Sequence, residues 1–107
     1  MTTTFTDANF RTEVLGSDKI TMIDFWATWC PPCLALGPTI DALAVQYEGK
    51  IKVGKVNTDE NPEMSINYGV TNLPCVLFIK DGAIVDKHIG LAPRSVYDKK
   101  IQALLGK

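Results

Sequence analysis

FWATWCPPC, residues 25–33, closes an apolar run and opens a helix, with a thiol on each side of two prolines. Upstream, KITMIDFWA (19–27) is nearly continuous in apolar and β-prone side chains, as expected of a strand buried on both faces, usually central and parallel. Downstream, from Pro31 to about Tyr47, the period becomes helical: Leu36, Ile40, Leu43, Ala44 and Tyr47 share one broad face. Pro38 lies inside that helix and is expected to kink it. Cys30 therefore stands at a strand-to-helix junction. Pro31 suits the first helical position, which makes Cys30 the cap residue. A helix start offers unpaired N–H groups and partial positive charge, and both favour thiolate over thiol. The thiolate is the attacking species in disulfide exchange. Cys33 falls on the same face of the first turn, so the two sulfurs can meet. Cys30 is expected to be exposed and to attack, and Cys33 to be more buried and to resolve. Pro31 and Pro32 carry no N–H, so the nearest remaining donor to Cys30 is the N–H of Cys33.

Other readings of the pair have to be weighed. Two cysteines at this spacing can be half of a zinc site, but such a site takes four protein ligands, and only Cys75 and His88 remain to supply them. His88 sits in a strand and reads as an ordinary surface histidine, so no metal is expected. Two inert core cysteines are the plainer alternative, although packing gives no reason for a proline-flanked thiol at a helix start. The cysteine total of three is odd, which argues against a disulfide-stapled secreted scaffold.

The elements outward from this junction alternate. TTTF (2–5) is a short β-prone run. TDANFRTEVLG (6–16) is expected to be a helix, capped by Thr6 or Asp7, with Phe10, Val14 and Leu15 on its apolar face. IKVGKVN (51–57) is a strand after the helix stop at Gly49. Asn61-Pro62-Glu63 is a helix start, with an asparagine cap and proline at the first position, and that helix ends near Gly69. VLFIK (76–80) and AIVDKHI (83–89) flank Asp81-Gly82, a two-residue hairpin signal. Pro93 opens a last helix with Val96, Ile101, Leu104 and Leu105 on its apolar side. The order βαβαβαββα, with right-handed crossovers, implies three parallel strands joined by an antiparallel hairpin. The fold class is α/β: a mixed five-stranded sheet flanked by four helices, as one domain over residues 1–107.

Of the 107 residues, 46% are hydrophobic and 21% charged, an ordinary globular composition. The net charge of −1 leaves no basic footprint for nucleic acid, and no apolar run approaches the length of a membrane span. The start MTTTFTDANF has neither basic n-region nor apolar h-region, so it does not read as a secretory signal, and the cytoplasm is the expected location.

The whole chain resembles the thioredoxin family. The resemblance is carried by DFWATWCPPC, Pro38, KVNTDENP (55–62), Leu73-Pro74, the Lys80-Asp81-Gly82 hairpin and Gly90. It implies a thioredoxin fold and a protein-disulfide reductase that cycles through a Cys30–Cys33 disulfide with no bound cofactor. It further implies disulfide-containing protein substrates, an NADPH-dependent flavin reductase as partner, and a monomer. Asp24 interrupts the apolar run. A carboxyl buried there is costly when charged, which raises its pKa and suits it to exchange a proton with Cys33. The family's buried aspartate matches Asp24, and a family lysine matches Lys55, the candidate partner in the next strand. Trp26 reads as core packing. Trp29 reads as a platform beside the nucleophile, on a substrate-binding rim with Pro31, Pro32, Leu73, Pro74 and Gly90. Pro74 matches the family's cis-proline.

The chain departs from the family pattern in three places. Pro31 replaces the usual glycine, Leu34 stands where a lysine is common, and Cys75 replaces the usual threonine after Pro74. Cys75 is either a third redox thiol, a ligand to a metal or iron–sulfur centre, or a small buried residue; the last is preferred, since a cluster would still lack a protein ligand. The sequence is also compatible with three other functions: an oxidant or isomerase on the same fold, a metal or iron–sulfur carrier, and a partner subunit without redox chemistry.

Overall fold

A computed structural model describes residues 2–106. Five strands, β1 (Thr2–Thr4), β2 (Thr21–Trp26), β3 (Lys52–Asn57), β4 (Cys75–Lys80) and β5 (Ala83–Ile89), form one sheet in the order β1-β3-β2-β4-β5. β3 runs parallel to both β1 and β2, and β4 runs antiparallel to β2 and to β5. The expected mixed sheet is therefore present, with the apolar run of β2 at its centre and buried on both faces. The helices are a π-helical segment (Arg11–Leu15), α1 (Pro31–Gln46), α2 (Pro62–Asn67) and α3 (Arg94–Leu105). One core cluster joins Met22, Val53, Val76 and Phe78 to Leu36, Ile40 and Leu43 of α1 and to Tyr97 and Ile101 of α3. The other joins Ile23, Phe25, Val56 and Leu77 to Phe5, Phe10, Val14 and Met64. Alternate residues of β2 thus feed the two clusters, as the period-2 pleat requires.

Local choices explain the connections. The β4–β5 hairpin turns through Asp81 (φ 52°) and Gly82 (φ 80°), with Lys80 opposite Ala83, the two positive φ angles that a tight hairpin needs. Gly54 in β3 lets the buried Phe5 ring lie across the backbone: a Cβ there would come within 2.2 Å of the ring. α1 runs unbroken through Pro38 to Gln46.

Several expectations need correction. The first helix is not an ordinary α-helix. The Gly16 N–H bonds to the Arg11 carbonyl, five residues back, at 2.8 Å. Phe10 and Val14 are buried, while Leu15 is exposed. Thr6 does not cap this segment, whose cap position is Phe10 with no side-chain cap; it opens the preceding turn, its hydroxyl accepting the Asn9 N–H while the Asn9 side chain accepts the Thr6 N–H in return. Asp7 caps a different helix. Its carboxylate accepts the N–H groups of Glu63 (3.2 Å) and Met64 (2.9 Å) at the start of α2. Asn61 occupies the cap position there without capping; its side chain accepts the Asp7 N–H and donates to the Asn57 carbonyl. A charged cap holds those N–H groups more strongly than an amide does, which frees Asn61 to tie two loops together. In α3 the buried residues are Tyr97 and Ile101, with Leu104 partly buried against them, whereas Leu105 is exposed. His88 is half-buried, not on the surface, and its ring meets that of Tyr97 edge-on.

Candidate active site

Cys30 caps α1 in an extended conformation, φ −109° and ψ 99°, with Pro31 and Pro32 as the first helical residues. Its sulfur accepts the N–H of Cys33 at 3.4 Å, the donor left by the two prolines. Cys30 and Cys33 are joined as a disulfide across Cα atoms 5.2 Å apart. Pro31 and Pro32 face solvent. Cys30 is less accessible than expected, at 5% exposed against 2% for Cys33. The order of exposure holds, but both cysteines are buried, because Ala27 and the half-buried Trp26 and Leu73 pack around the disulfide.

Two recesses meet the pair. On the outer side, Trp29, Cys30, Thr58, Leu73 and residues 70–72 line a groove of about 330 Å³. Trp29 is 67% exposed, and its indole N–H donates to Asp59 at 2.8 Å, which fixes the ring as one wall. The Leu73–Pro74 peptide is cis. Gly90, at φ +95°, donates its N–H to the Pro74 carbonyl at 2.8 Å and accepts the Tyr97 hydroxyl. It therefore braces the Leu73–Pro74 loop from β5. On the inner side, Cys33 shares a pocket of about 220 Å³ with Asp24, Trp26, Leu34, Gly37 and Lys55.

Asp24 is 1% exposed, and its Oδ1 accepts no hydrogen bond. Burial pushes its carboxyl up to about 7, against a lowering pull from Lys55 and a smaller push from Asp41. Lys55 stands beside Asp24 in the β2–β3 register, as the sequence suggests. Its ammonium, however, is paired with Asp41 of α1, at 3.0 Å. Asp41 also accepts the Thr2 hydroxyl at 2.8 Å. Sequence reasoning missed both Asp41 and Asp59. Each partner lies far away in the chain, and no local pattern marks either contact.

Cys75 begins β4, opposite Phe25 and Ile89, within the core cluster of Phe25, Val56 and Leu77. It is a free, buried thiol. Burial pushes it up, with Lys87 pulling down and Asp24 pushing up, so it stays protonated and a poor nucleophile. Among the described residues, no three His, Cys, Asp or Glu side chains are grouped to hold a metal ion.

A family model described as Thioredoxin matches residues 1–103. The chain belongs to the thioredoxin family. It is 48% identical over 101 residues to a thioredoxin of Chlorobaculum thiosulfatiphilum, with 94% of each chain covered. It is 45% identical over 97 residues to Thioredoxin 1 of a Nostoc species, with 91% of each covered. A chloroplastic M-type thioredoxin of Pisum sativum is 43% identical over 96 residues, 90% of this chain and 56% of that one. With the thioredoxin fold and the Cys30–Cys33 disulfide, the chain is a thiol–disulfide oxidoreductase of the protein-disulfide reductase class. Membership also implies disulfide substrates and a reductase partner.

Within that frame Cys75→Thr is expected to keep most of the reductase activity. Threonine is close in size, suits a strand, and removes only a protonated thiol. A rate with insulin as substrate within about twofold of the parent, a change worth less than 1 kcal/mol, and unchanged metal content by mass spectrometry are the expected results. A large loss of either gives Cys75 a redox or ligand role.

Proposed function

We propose that this thioredoxin reduces protein disulfides with Cys30 as nucleophile, Cys33 as resolving thiol and Asp24 as proton acceptor for Cys33. The carrying observation is the placement of the pair between two recesses. Cys30 lines the outer groove with Trp29 and Leu73, and Cys33 lines the inner pocket with Asp24. The Cys30 thiolate attacks one substrate sulfur, forming a mixed disulfide and expelling the other as thiolate. Cys33 then passes its proton to Asp24 and attacks the Cys30 sulfur. The second substrate thiolate leaves, and the two electrons of the dithiol end on the substrate. Trp29, Pro31, Pro32 and Leu73 form the rim that an extended substrate meets, and Pro74 and Gly90 hold Leu73 in place. Trp26 walls the inner pocket, Lys55 tunes Asp24, and Pro38 shapes α1. An NADPH-dependent thioredoxin reductase restores the dithiol.

Residues 1–107 act as one monomeric domain in the cytoplasm, with no nucleic-acid or membrane partner. None of the described helices is long and apolar enough to cross a membrane. The chloroplastic relative makes an organelle the alternative address.

Equilibration with glutathione buffers tests the direction of the chemistry. The couple is expected to be more reducing than glutathione; a couple that oxidises the glutathione pool marks an oxidant instead. Pro31→Gly sharpens the test. Glycine returns one N–H to the first turn, where a thiolate at the cap is the strongest acceptor. The added donor stabilises the Cys30 thiolate and hence the dithiol, so the couple becomes more oxidising. Thiolate absorbance persisting to lower pH in Pro31→Gly is the expected companion result. An unchanged or higher thiolate midpoint removes the donor argument.

A further inference from the structure

Lys55 and Asp24 are neighbours on adjacent parallel strands, in register and on the sheet face that α1 and α3 cover. An ammonium and a carboxyl so placed are natural partners, and an opposite charge that close favours the ionised carboxyl. The pair is not made. The Lys55 ammonium lies instead at Asp41, at 3.0 Å, and Asp24 Oδ1 is left without a partner. Two features of α1 favour this outcome. Gly37 and Asp41 are four residues apart and so share a helix face. Gly37 carries no side chain where the ammonium passes: a Cβ there would sit 3.6 Å from Lys55 Nζ. The Asp41 carboxylate is itself held, since its Oδ1 also accepts the Thr2 hydroxyl of the edge strand at 2.8 Å.

We propose that Asp41 is a positioning residue, which draws the Lys55 ammonium away from Asp24 and so leaves the Asp24 carboxyl free to take the proton of Cys33. The proposal rests on the proton-acceptor reading of Asp24 given above. Burial alone raises Asp41, but the Thr2 hydroxyl and the hydrogen bond and charge of Lys55 outweigh it, so Asp41 remains an anion throughout the neutral range. The other groups around Asp24 do not compete for this part. Cys33 on α1 is the proton donor. Cys75 on β4 and Tyr97 on α3 are both raised chiefly by burial, Tyr97 to about 12, so both are neutral near pH 7. Lys55 is then the cation whose position decides the charge of Asp24, and Asp41 decides that position.

The test is a carboxyl-carbon NMR titration of Asp24 in the oxidised protein, alongside the pH profile of disulfide reduction. In Asp41→Ala the ammonium is released toward Asp24, and the Asp24 titration is expected to move about one pH unit to lower pH, the low end of the effect of an opposite charge at 4–6 Å. Asp41→Glu, which keeps a carboxylate on the same helix face, is expected to reverse most of the shift. The control is Lys55→Met. In that background Asp41→Ala is expected to move Asp24 by less than half as much, because no ammonium remains to be released. An Asp24 titration that stays put in Asp41→Ala, or that moves equally with and without Lys55, overturns the proposal. The activity profile separates this from the reading beneath it. If the Asp24 titration moves and the acidic limb of the profile does not follow, Asp41 does govern Asp24 while Asp24 is not the proton acceptor. If both move together, both stand.

Discussion

Cys30→Ser is expected to reduce disulfide reduction to background, and Cys33→Ser to stop the reaction half-way. The two outcomes differ because the cysteines hold different places. Cys30 caps α1 and lines the groove walled by Trp29 and Leu73, so on the proposed mechanism its sulfur is the one that meets an incoming disulfide. Serine there offers an alcohol that stays protonated at neutral pH, and a thiolate is what exchange requires. Cys33 lies behind it, 2% exposed and facing the pocket of Asp24. With Cys33 replaced, Cys30 still attacks, but nothing displaces it from the mixed disulfide, so substrate adducts accumulate on Cys30. Non-reducing gels and peptide mass spectrometry read both results. Adducts forming through Cys33 in Cys30→Ser, at a rate like those of Cys30 in Cys33→Ser, reverse the assignment. The near-total burial of Cys30 adds a condition. The Leu73 side of the groove has to admit an extended chain close enough for in-line attack. A bulky, folded disulfide is therefore reduced more slowly than the same disulfide in an unfolded peptide.

The strand-to-helix junction was legible because everything that makes it is local. The apolar run of β2, the cap, the proline at the first helical position and the short Cys–Cys spacing all lie within about fifteen residues, and each has its own physical signature. The hairpin at Asp81-Gly82 was legible for the same reason. What the chain hid was non-local. Asp7 caps a helix that starts more than fifty residues later, and Asn61 returns a bond to the Asp7 backbone. Asp41 takes the lysine that strand register assigns to Asp24. Nothing in the spacing of Thr2, Asp41 and Lys55 indicates that they converge. The exposure of Leu15 was missed for a simpler reason: at 3.6 residues per turn it already lies about 100° round the helix from Val14, at the margin of the apolar face. The partial burial of His88 against Tyr97 likewise depends on how α3 packs on β5, which no local pattern specifies.

Asp24→Asn is expected to make the protein more stable at neutral and alkaline pH and slower as a reductase, and both effects follow from one buried carboxyl. Unfolded, Asp24 has the ordinary carboxyl pKa of 3.8; folded, burial raises it to about 7. Between those values the native state holds a proton that the unfolded chain has lost. The unfolding free energy therefore falls as pH rises through this window. A gap of about three pH units corresponds to about 4 kcal/mol, absent below pH 4 and fully present above pH 7. Asparagine does not ionise and escapes that penalty. Its buried amide must instead find partners where Oδ1 now has none, which returns about 1–3 kcal/mol. The variant should thus match or trail the parent near pH 4 and exceed it by a few kcal/mol near pH 8. Urea unfolding of the oxidised proteins at the two pH values measures this difference of differences, and amide packing cancels from it. A stability gap that does not change with pH would show that Asp24 carries no charge penalty. The kinetic half has its own signature. With no carboxylate to receive the Cys33 proton, resolution of the mixed disulfide relies on solvent, so the rate should fall and its rise between pH 6 and 8 should flatten. On the proposed mechanism, the carboxyl that destabilises the fold where it is ionised serves the reaction in the same pH range, a stability cost kept at a functional site.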